Sequence, residues 1–239
     1  MISCAKTDVG IKRKVNQDAI FYSDTAVGKL PNLYLVADGM GGELAGDYAS
    51  AKCVETIINC IKKSKETEPV RILEEAIQTA NNLIYAESKS DPGKAGMGTT
   101  LVMATIIDGH LFVANVGDSR LYVANSSKVL QVTKDHSVVA ELVRTGELDE
   151  DDARTDKRKN MITRAVGAES AIAADYFDVA LKGREHILLC SDGLTNMVSD
   201  KEILSILKSA DSIEDRATRL VELANSYGGK DNISVIIVE

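Results

Sequence analysis

Five aspartates stand where apolar runs stop or start, and that placement is what could do chemistry in this chain. Asp38 follows Leu35-Val36-Ala37 and precedes Gly39-Met40-Gly41-Gly42, Asp118 follows Val113-Ala114-Asn115-Val116-Gly117, and Asp192 follows Ile187-Leu188-Leu189-Cys190-Ser191 and precedes Gly193. Asp231 lies in Gly228-Gly229-Lys230-Asp231-Asn232, just before the last apolar run, and Asp18 follows Arg13-Lys14-Val15-Asn16-Gln17. A carboxylate at the end of a buried strand is costly unless it is paired or bound to a cation. Mg2+ and Mn2+ are hard ions that take oxygen ligands in octahedral sets and keep some of their water. Strands that deliver several Asp side chains to one rim would build such a site on rigid supports. Glycine beside a carboxylate would let the backbone come close enough for a carbonyl oxygen to join. Each Asp taken singly reads as turn chemistry, and Asp108-Gly109 reads as a turn alone. Five in these contexts make a candidate metal site, and spacing carries the reading no further.

The elements that must position these acids are legible as apolar runs. Strands are expected over 32–37, 99–107, 110–116, 121–124, 129–132, 186–190 and 233–238. Asp108-Gly109 between two of them predicts a tight hairpin, so that part of the sheet should be antiparallel. Helices are expected between the strands. Ala45, Ala49, Cys53, Ile57 and Ile61 form one apolar stripe at four-residue spacing, and the small residues Gly46, Ala49 and Ser50 predict close packing of that helix against its neighbour. A second helix, with Thr67 as its N-cap, carries Leu73, Ile77, Ala80 and Ile84. Ser199 with Glu202 predicts a capping box, and Ser212 with Asp215 a looser version that opens a helix striped by Ile213, Ala217, Leu220, Val221 and Ala224. From Lys134 to about Gly167 short helical pieces mix with dense charge, including Glu147-Leu148-Asp149-Glu150-Asp151-Asp152. That stretch reads equally as a mobile specificity element and as a solvated surface insert.

At 239 residues the chain is expected to form one domain, 1–239, with a single substantial core. Its 44% hydrophobic and 27% charged residues are those of a water-soluble globular protein. The net charge of −8 argues against a nucleic-acid binder, which needs a basic footprint. No apolar run approaches the roughly 20 residues of a membrane helix. The opening Met1-Ile2-Ser3-Cys4-Ala5-Lys6-Thr7-Asp8 lacks the basic flank and apolar stretch of a signal peptide, so a cytoplasmic, membrane-free protein is expected. Cys4, Cys53, Cys60 and Cys190 form no CxxC pair and read as small buried residues, and His110, His136 and His186 are too scattered to suggest zinc.

Six segments in order resemble the metal-dependent Ser/Thr protein phosphatases of the type 2C, or PPM, family over essentially the whole chain. They are Arg13-Lys14-Val15-Asn16-Gln17-Asp18, Val36-Ala37-Asp38-Gly39-Met40-Gly41-Gly42, Met97-Gly98-Thr99-Thr100, Asn115-Val116-Gly117-Asp118-Ser119-Arg120, Leu189-Cys190-Ser191-Asp192-Gly193-Leu194 and Gly229-Lys230-Asp231-Asn232. Each motif is weak alone; six in register are specific, and the chain is similar to the compact bacterial form. The resemblance implies an α+β fold, a four-layer αββα sandwich of two antiparallel sheets flanked by helices. It implies a centre of two Mn2+ or Mg2+ ions, with Asp38 bridging, Asp192 and Asp231 on the first ion, and the Gly39 carbonyl and water-linked Asp18 on the second. Asp118 with Asp192 matches a third, weaker metal position. Arg13 would clamp the phosphate, Asp38 and Arg13 would be the catalytic pair, and the excursion at about 134–167 takes the place of the family's flap. Two ions about 4 Å apart can activate a shared water for in-line attack on phosphorus, with no covalent intermediate. The implied substrates are phosphoserine and phosphothreonine proteins, including a bacterial Ser/Thr kinase, and a monomer is expected. Met40 stands where many eukaryotic members have a proton-donating His, which leaves a water on the metal as the expected acid.

Other phosphate chemistries leave marks that are missing. Cys190 has Asn196 six residues on, where a cysteine-based tyrosine phosphatase needs Arg, and Asp192-Gly193-Leu194-Thr195 lacks the second Asp of an aspartyl-phosphate hydrolase. Gly228-Gly229-Lys230-Asp231 is not a P-loop. A non-catalytic phosphoprotein binder would have no need of so complete an acidic set, and a sigma-factor-pathway phosphatase would usually carry a sensor domain.

Overall fold

Strands apolar at every position, not at alternate ones, need cover on both faces. Leu33–Ala37 and Ile233–Val238 are buried at every residue, and each lies in an interior strand of one of two sheets that pack face to face. The computed structural model describes residues 1–41, 45–153 and 155–239, with Glu150 and Asp151 described by backbone alone. Gly42, the last residue of the run after Asp38, and Arg154, inside the charged excursion, lie outside the described residues.

In chain order the elements are β1 (Ser3–Asp8), β2 (Asp18–Ser23), β3 (Leu33–Met40), α1 (Gly46–Lys63), α2 (Pro69–Ser90), a 3-10 turn (Pro92–Lys94) and β4 (Gly98–Thr99). There follow β5 (Leu101–Ile107), β6 (His110–Val116), β7 (Arg120–Ala124), β8 (Val129–Gln131), α3 (Val138–Thr145) and α4 (Glu150–Ala153). The chain ends with β9 (Asp175–Ala180), β10 (His186–Cys190), α5 (Asp192–Thr195), α6 (Asp200–Leu207), α7 (Ile213–Ser226) and β11 (Ile233–Val238). One sheet runs β1-β11-β10-β7-β8 and the other β2-β3-β5-β6-β9, with β4 paired to β3. Every described pairing is antiparallel.

Side-chain alternation sorts the core into three layers. Tyr34, Val36, Val102, Leu121, Leu189 and Ile236 meet between the sheets. Leu33, Leu35 and Ala37 face the other way, onto the stripes of α1 and α2, and Val235 and Ile237 face α6 and α7. Four layers result, with helices outermost, as the family resemblance implied.

Local signals hold with small corrections. Asp108 and Gly109 both take positive φ, 50° and 80°, the two-residue turn whose twist suits a hairpin, and β5 pairs with β6 around it. The capping box at Ser199 and Glu202 is formed, and the Ser212 hydroxyl accepts from the Asp215 N–H at 3.1 Å. The N-cap of α2 is Glu68, not Thr67. Pro69 disfavours helical backbone at the residue before it, so the helix starts at the proline and the extended Glu68 takes the boundary. All four cysteines are free; Cys53 and Cys190 are buried as expected, whereas Cys4 and Cys60 are half-exposed. Strands β1, β2 and β9 add to those read from sequence. The ends of the chain meet, because Ile2 N–H donates to the Glu239 carbonyl at 2.8 Å and Glu239 N–H to Ile2 at 2.9 Å.

The charged excursion leaves after β8 and returns before β9. Ser137 caps α3, Gly146 closes it at φ 77°, and the two limbs are tied by Val138 N–H to the Met161 carbonyl and Thr163 N–H to the His136 carbonyl, both 2.8 Å. The returning limb is fixed to β4 by reciprocal Thr99–Val166 backbone bonds of 3.0 and 2.8 Å.

Candidate metal centre

The acidic residues come from five separate places to one rim of the sandwich. Antiparallel pairing of β2 with β3 sets Asp18 directly opposite Asp38. Alternation along β3 then places Asp38 on the inter-sheet side, in line with Tyr34 and Val36. Asp192 opens α5 just beyond β10, Asp118 sits in the β6–β7 connection, and Asp231 ends the loop into β11. A cavity of about 650 Å³ is lined by Asp38, Gly39, Asp118, Asp192, Asp231 and Arg13, with Asn160 and Ile162 of the excursion on its far wall. Asp18 is absent from that lining and lies beneath it.

The turns are held by backbone constraints. Gly117 has φ 98°, and a Cβ there would stand 2.7 Å from the Thr100 side chain, so only glycine lets the Asp118 loop press onto β5. At Gly39 a Cβ would come within 1.9 Å of the Gly46 carbonyl, which brings the first turn of α1 against the acidic tip of β3. The predicted closeness of α1 to its neighbour is this contact, joined by the Ser50 hydroxyl donating to the Gln17 carbonyl at 2.5 Å.

Each acid has a defined environment. Asp18 accepts from the buried Ser191 hydroxyl at 2.8 Å through one oxygen; the other is buried and has no partner. Asp192 accepts from Asn196 Nδ2 at 2.8 Å through one oxygen, while its Oδ1 is buried without a partner. Asp118 is 8% exposed. Asp231 is half-buried and takes Arg13 Nη2 at 2.8 Å, a bond that also raises the guanidinium pKa. Burial pushes the carboxyls of Asp18, Asp38, Asp118 and Asp192 up from the usual range, and repulsion among the acids adds to it. At Asp38 the repulsion comes from Asp18, Asp192, Asp118 and Asp231 together.

Two threonines had no assigned role in the sequence reading and hold Asp38 by its backbone. Thr100 Oγ1 accepts from the Asp38 N–H at 3.0 Å, and the Asp38 carbonyl accepts from Thr99 Oγ1 at 2.9 Å and Thr100 N–H at 2.8 Å. The signal available was a pair of adjacent hydroxyls opening a largely apolar strand. Cys190 is fully buried and its thiol is pushed up to about 12 by desolvation, which rules it out as a nucleophile.

The oxygen-only donors, the two orphaned carboxylate oxygens and the mutual repulsion fit a hard divalent ion. Among the described residues, no group of three or more His, Cys, Asp or Glu side chains is disposed as it stands to hold one ion. Asp231 is instead paired with Arg13, and Asp192 with Asn196. No described helix is long and apolar enough to cross a membrane.

Comparison with known proteins identifies the family and the fold. The family model described as protein phosphatase 2C matches residues 12–233. The chain is 42% identical over 242 residues to the serine/threonine phosphatase stp of Listeria innocua, covering 98% of this chain and 94% of that one. Serine/threonine phosphatase Stp1 of Staphylococcus aureus superposes with a TM-score of 0.92 at 34% identity, over 99% and 94% of the two chains. The catalytic domain of the phosphatase PstP, solved with two manganese ions, gives 0.87 at 30% identity, over 99% and 96%. This chain belongs to the protein phosphatase 2C family and is a metal-dependent protein serine/threonine phosphatase.

Proposed function

We propose that the rim acids hold two divalent ions, Mn2+ or Mg2+, and that Arg13 binds the phosphate beside them. Asp38, Asp192 and Asp231 would hold the first ion; Asp38, the Gly39 carbonyl and, through water, Asp18 would hold the second. Asp118 with Asp192 would offer a third, weaker position. The observation that carries this reading is the pair of buried, partnerless carboxylate oxygens on Asp18 and Asp192 within a ring of mutually repelling acids. Bound there, the ions would lower the pKa of a water molecule and offset charge on the phosphate oxygens.

The chain's own residues supply the rest. Arg13 exchanges Asp231 for phosphate, offering a planar two-pronged donor and freeing that carboxylate for its ion. Thr99 and Thr100 keep Asp38 from drifting as charge accumulates. Met40 has no proton to give, so the leaving oxygen takes its proton from water. The stretch at about 134–167 acts as a flap on a single domain of residues 1–239, with Asn160 and Ile162 facing the substrate. A Ser/Thr kinase of the same cell is the natural phosphoprotein substrate, acted on by a monomer in the cytoplasm.

Calorimetric titration with Mn2+, alongside phosphate release from a phosphothreonine peptide with Mn2+ or with chelator, tests the assignment. Asp118→Asn should lose most turnover while both tight sites still fill. Loss of a tight site in that variant would move Asp118 into the main pair and overturn the division of ligands.

A further inference from the structure

The Asn that follows Asp231 takes no part in the chemistry above, yet its side chain makes three hydrogen bonds on this rim. Asn232 is 3% exposed. Its Nδ2 donates to the Val9 carbonyl at 2.9 Å and to the Val15 carbonyl at 3.0 Å, and its Oδ1 accepts from the Gln17 N–H at 2.8 Å. Both donor hydrogens and the acceptor of one carboxamide are thus spent on a single loop, residues 9–17, and they grip it at both ends. Arg13 lies midway along that loop, with its own side chain exposed. Further backbone contacts press the loop onto the same strand approach: Ile11 and Lys12 N–H both donate to the Gly229 carbonyl, at 2.8 and 3.1 Å. The Asn232 N–H is itself fixed by Asp231 Oδ1 at 2.9 Å.

We infer that Asn232 is a positioning residue for phosphate binding: its carboxamide sets the 9–17 loop so that Arg13 stands over the cavity, and it acts on the reaction through Arg13. The inference rests on the assignment of Arg13 to phosphate. A planar amide suits the task, since it carries two donors and one acceptor in fixed directions and bears no charge beside the acids. A hydroxyl or a carboxylate there would leave at least one of the two loop carbonyls buried without a donor.

A double-mutant cycle on the Mn2+-loaded protein tests this, with the phosphothreonine peptide as substrate and calorimetry of Mn2+ as the second readout. Asn232→Ala and Asn232→Ser are each made alone and with Arg13→Ala; the Ser form keeps one donor and an acceptor and adds no charge beside the acids, and thermal unfolding of each variant guards against a result due to misfolding. Arg13→Ala and each Asn232 variant alone should raise KM about tenfold, the size expected for losing a charge-assisted contact. In the Arg13→Ala background each Asn232 change should cost less than about twofold more, because coupled residues are not additive. Mn2+ affinity should hold in all of them. Full additivity, or a fall in Mn2+ affinity in place of the KM change, overturns the inference and makes Asn232 a support of Asp231 instead. An unchanged KM in Arg13→Ala alone is a different failure, which removes the phosphate role of Arg13 and with it any action through that residue.

Discussion

The middle of the sandwich and its acidic rim are built from the same strands and obey opposite rules. On β3, Tyr34 and Val36 are wholly buried among apolar neighbours of the facing sheet, and the next residue on that face is Asp38, surrounded by acids. On β10, Leu189 belongs to that same layer and Asp192 follows three positions later. The interior is closely packed and apolar, whereas the rim carries repulsion that the protein alone does not relieve. A rigid interior is what lets such a rim persist, since carboxylates on a looser frame would swing apart into water. Stability and catalysis should therefore separate cleanly between the two regions.

The largest expected effect breaks the rim. Asp38→Asn removes charge at constant volume, so phosphothreonine hydrolysis in Mn2+ should fall by at least about a thousandfold. Thermal unfolding in chelator should be no lower than for the parent chain, because repulsion is relieved; near-normal turnover would remove Asp38 from the centre. The converse change strikes the interior. Leu189→Ala should cost about 2–5 kcal/mol in denaturant unfolding, from lost burial and the cavity left behind. Mn2+ affinity of its folded fraction should stay within about twofold, and a larger drop would mean that the two regions are not separable.

A smaller effect sits on the border between the regions. His136 is buried; its Nδ1 accepts from the Gly117 N–H at 3.1 Å, and burial holds its pKa below the usual value, against the opposing influence of Asp175. The unfolded chain therefore takes up a proton more readily than the folded one, so this group favours folding above a pH of about 6.5 and withdraws that support as the pH drops below it. His136→Asn, which keeps an acceptor for Gly117 and cannot titrate, should flatten this part of the stability profile between pH 7 and 5. An unaltered slope would show that other groups set it.

What could be read from sequence follows from what each signal depends on. The Asp-Gly hairpin, the α1 stripe and the acids at strand tips are local patterns and were legible. Strands β1 and β9 are half-exposed and carry polar residues such as Thr7 and Asp178, so no apolar run marks them; their place comes from pairing with β11 and β6. The N-cap of α2 slipped by one residue because the restriction imposed by Pro69 outweighs the capping preference of Thr67. The convergence of Asp18, Asp38, Asp118, Asp192 and Asp231 was legible only through the family resemblance, since the residues span most of the chain. Asn232 stood within a recognised motif, but its three partners lie 215 to 223 positions away, and nothing local announces them.

The bonds between Ile2 and Glu239 carry a practical corollary for engineering. Residues 3 and 238 are cross-strand neighbours at one end of their ladder, and Asp8 and Ile233, at the other, lead toward the acids. A short flexible bridge could join residue 1 to residue 239 on the side remote from the cavity, and the chain could be reopened at the exposed bend 125–128 that links β7 to β8. Such a permuted protein would keep the described strands beside their present neighbours, and a reporter fused at the new ends would sit at the β7–β8 edge of that sheet, across it from β1.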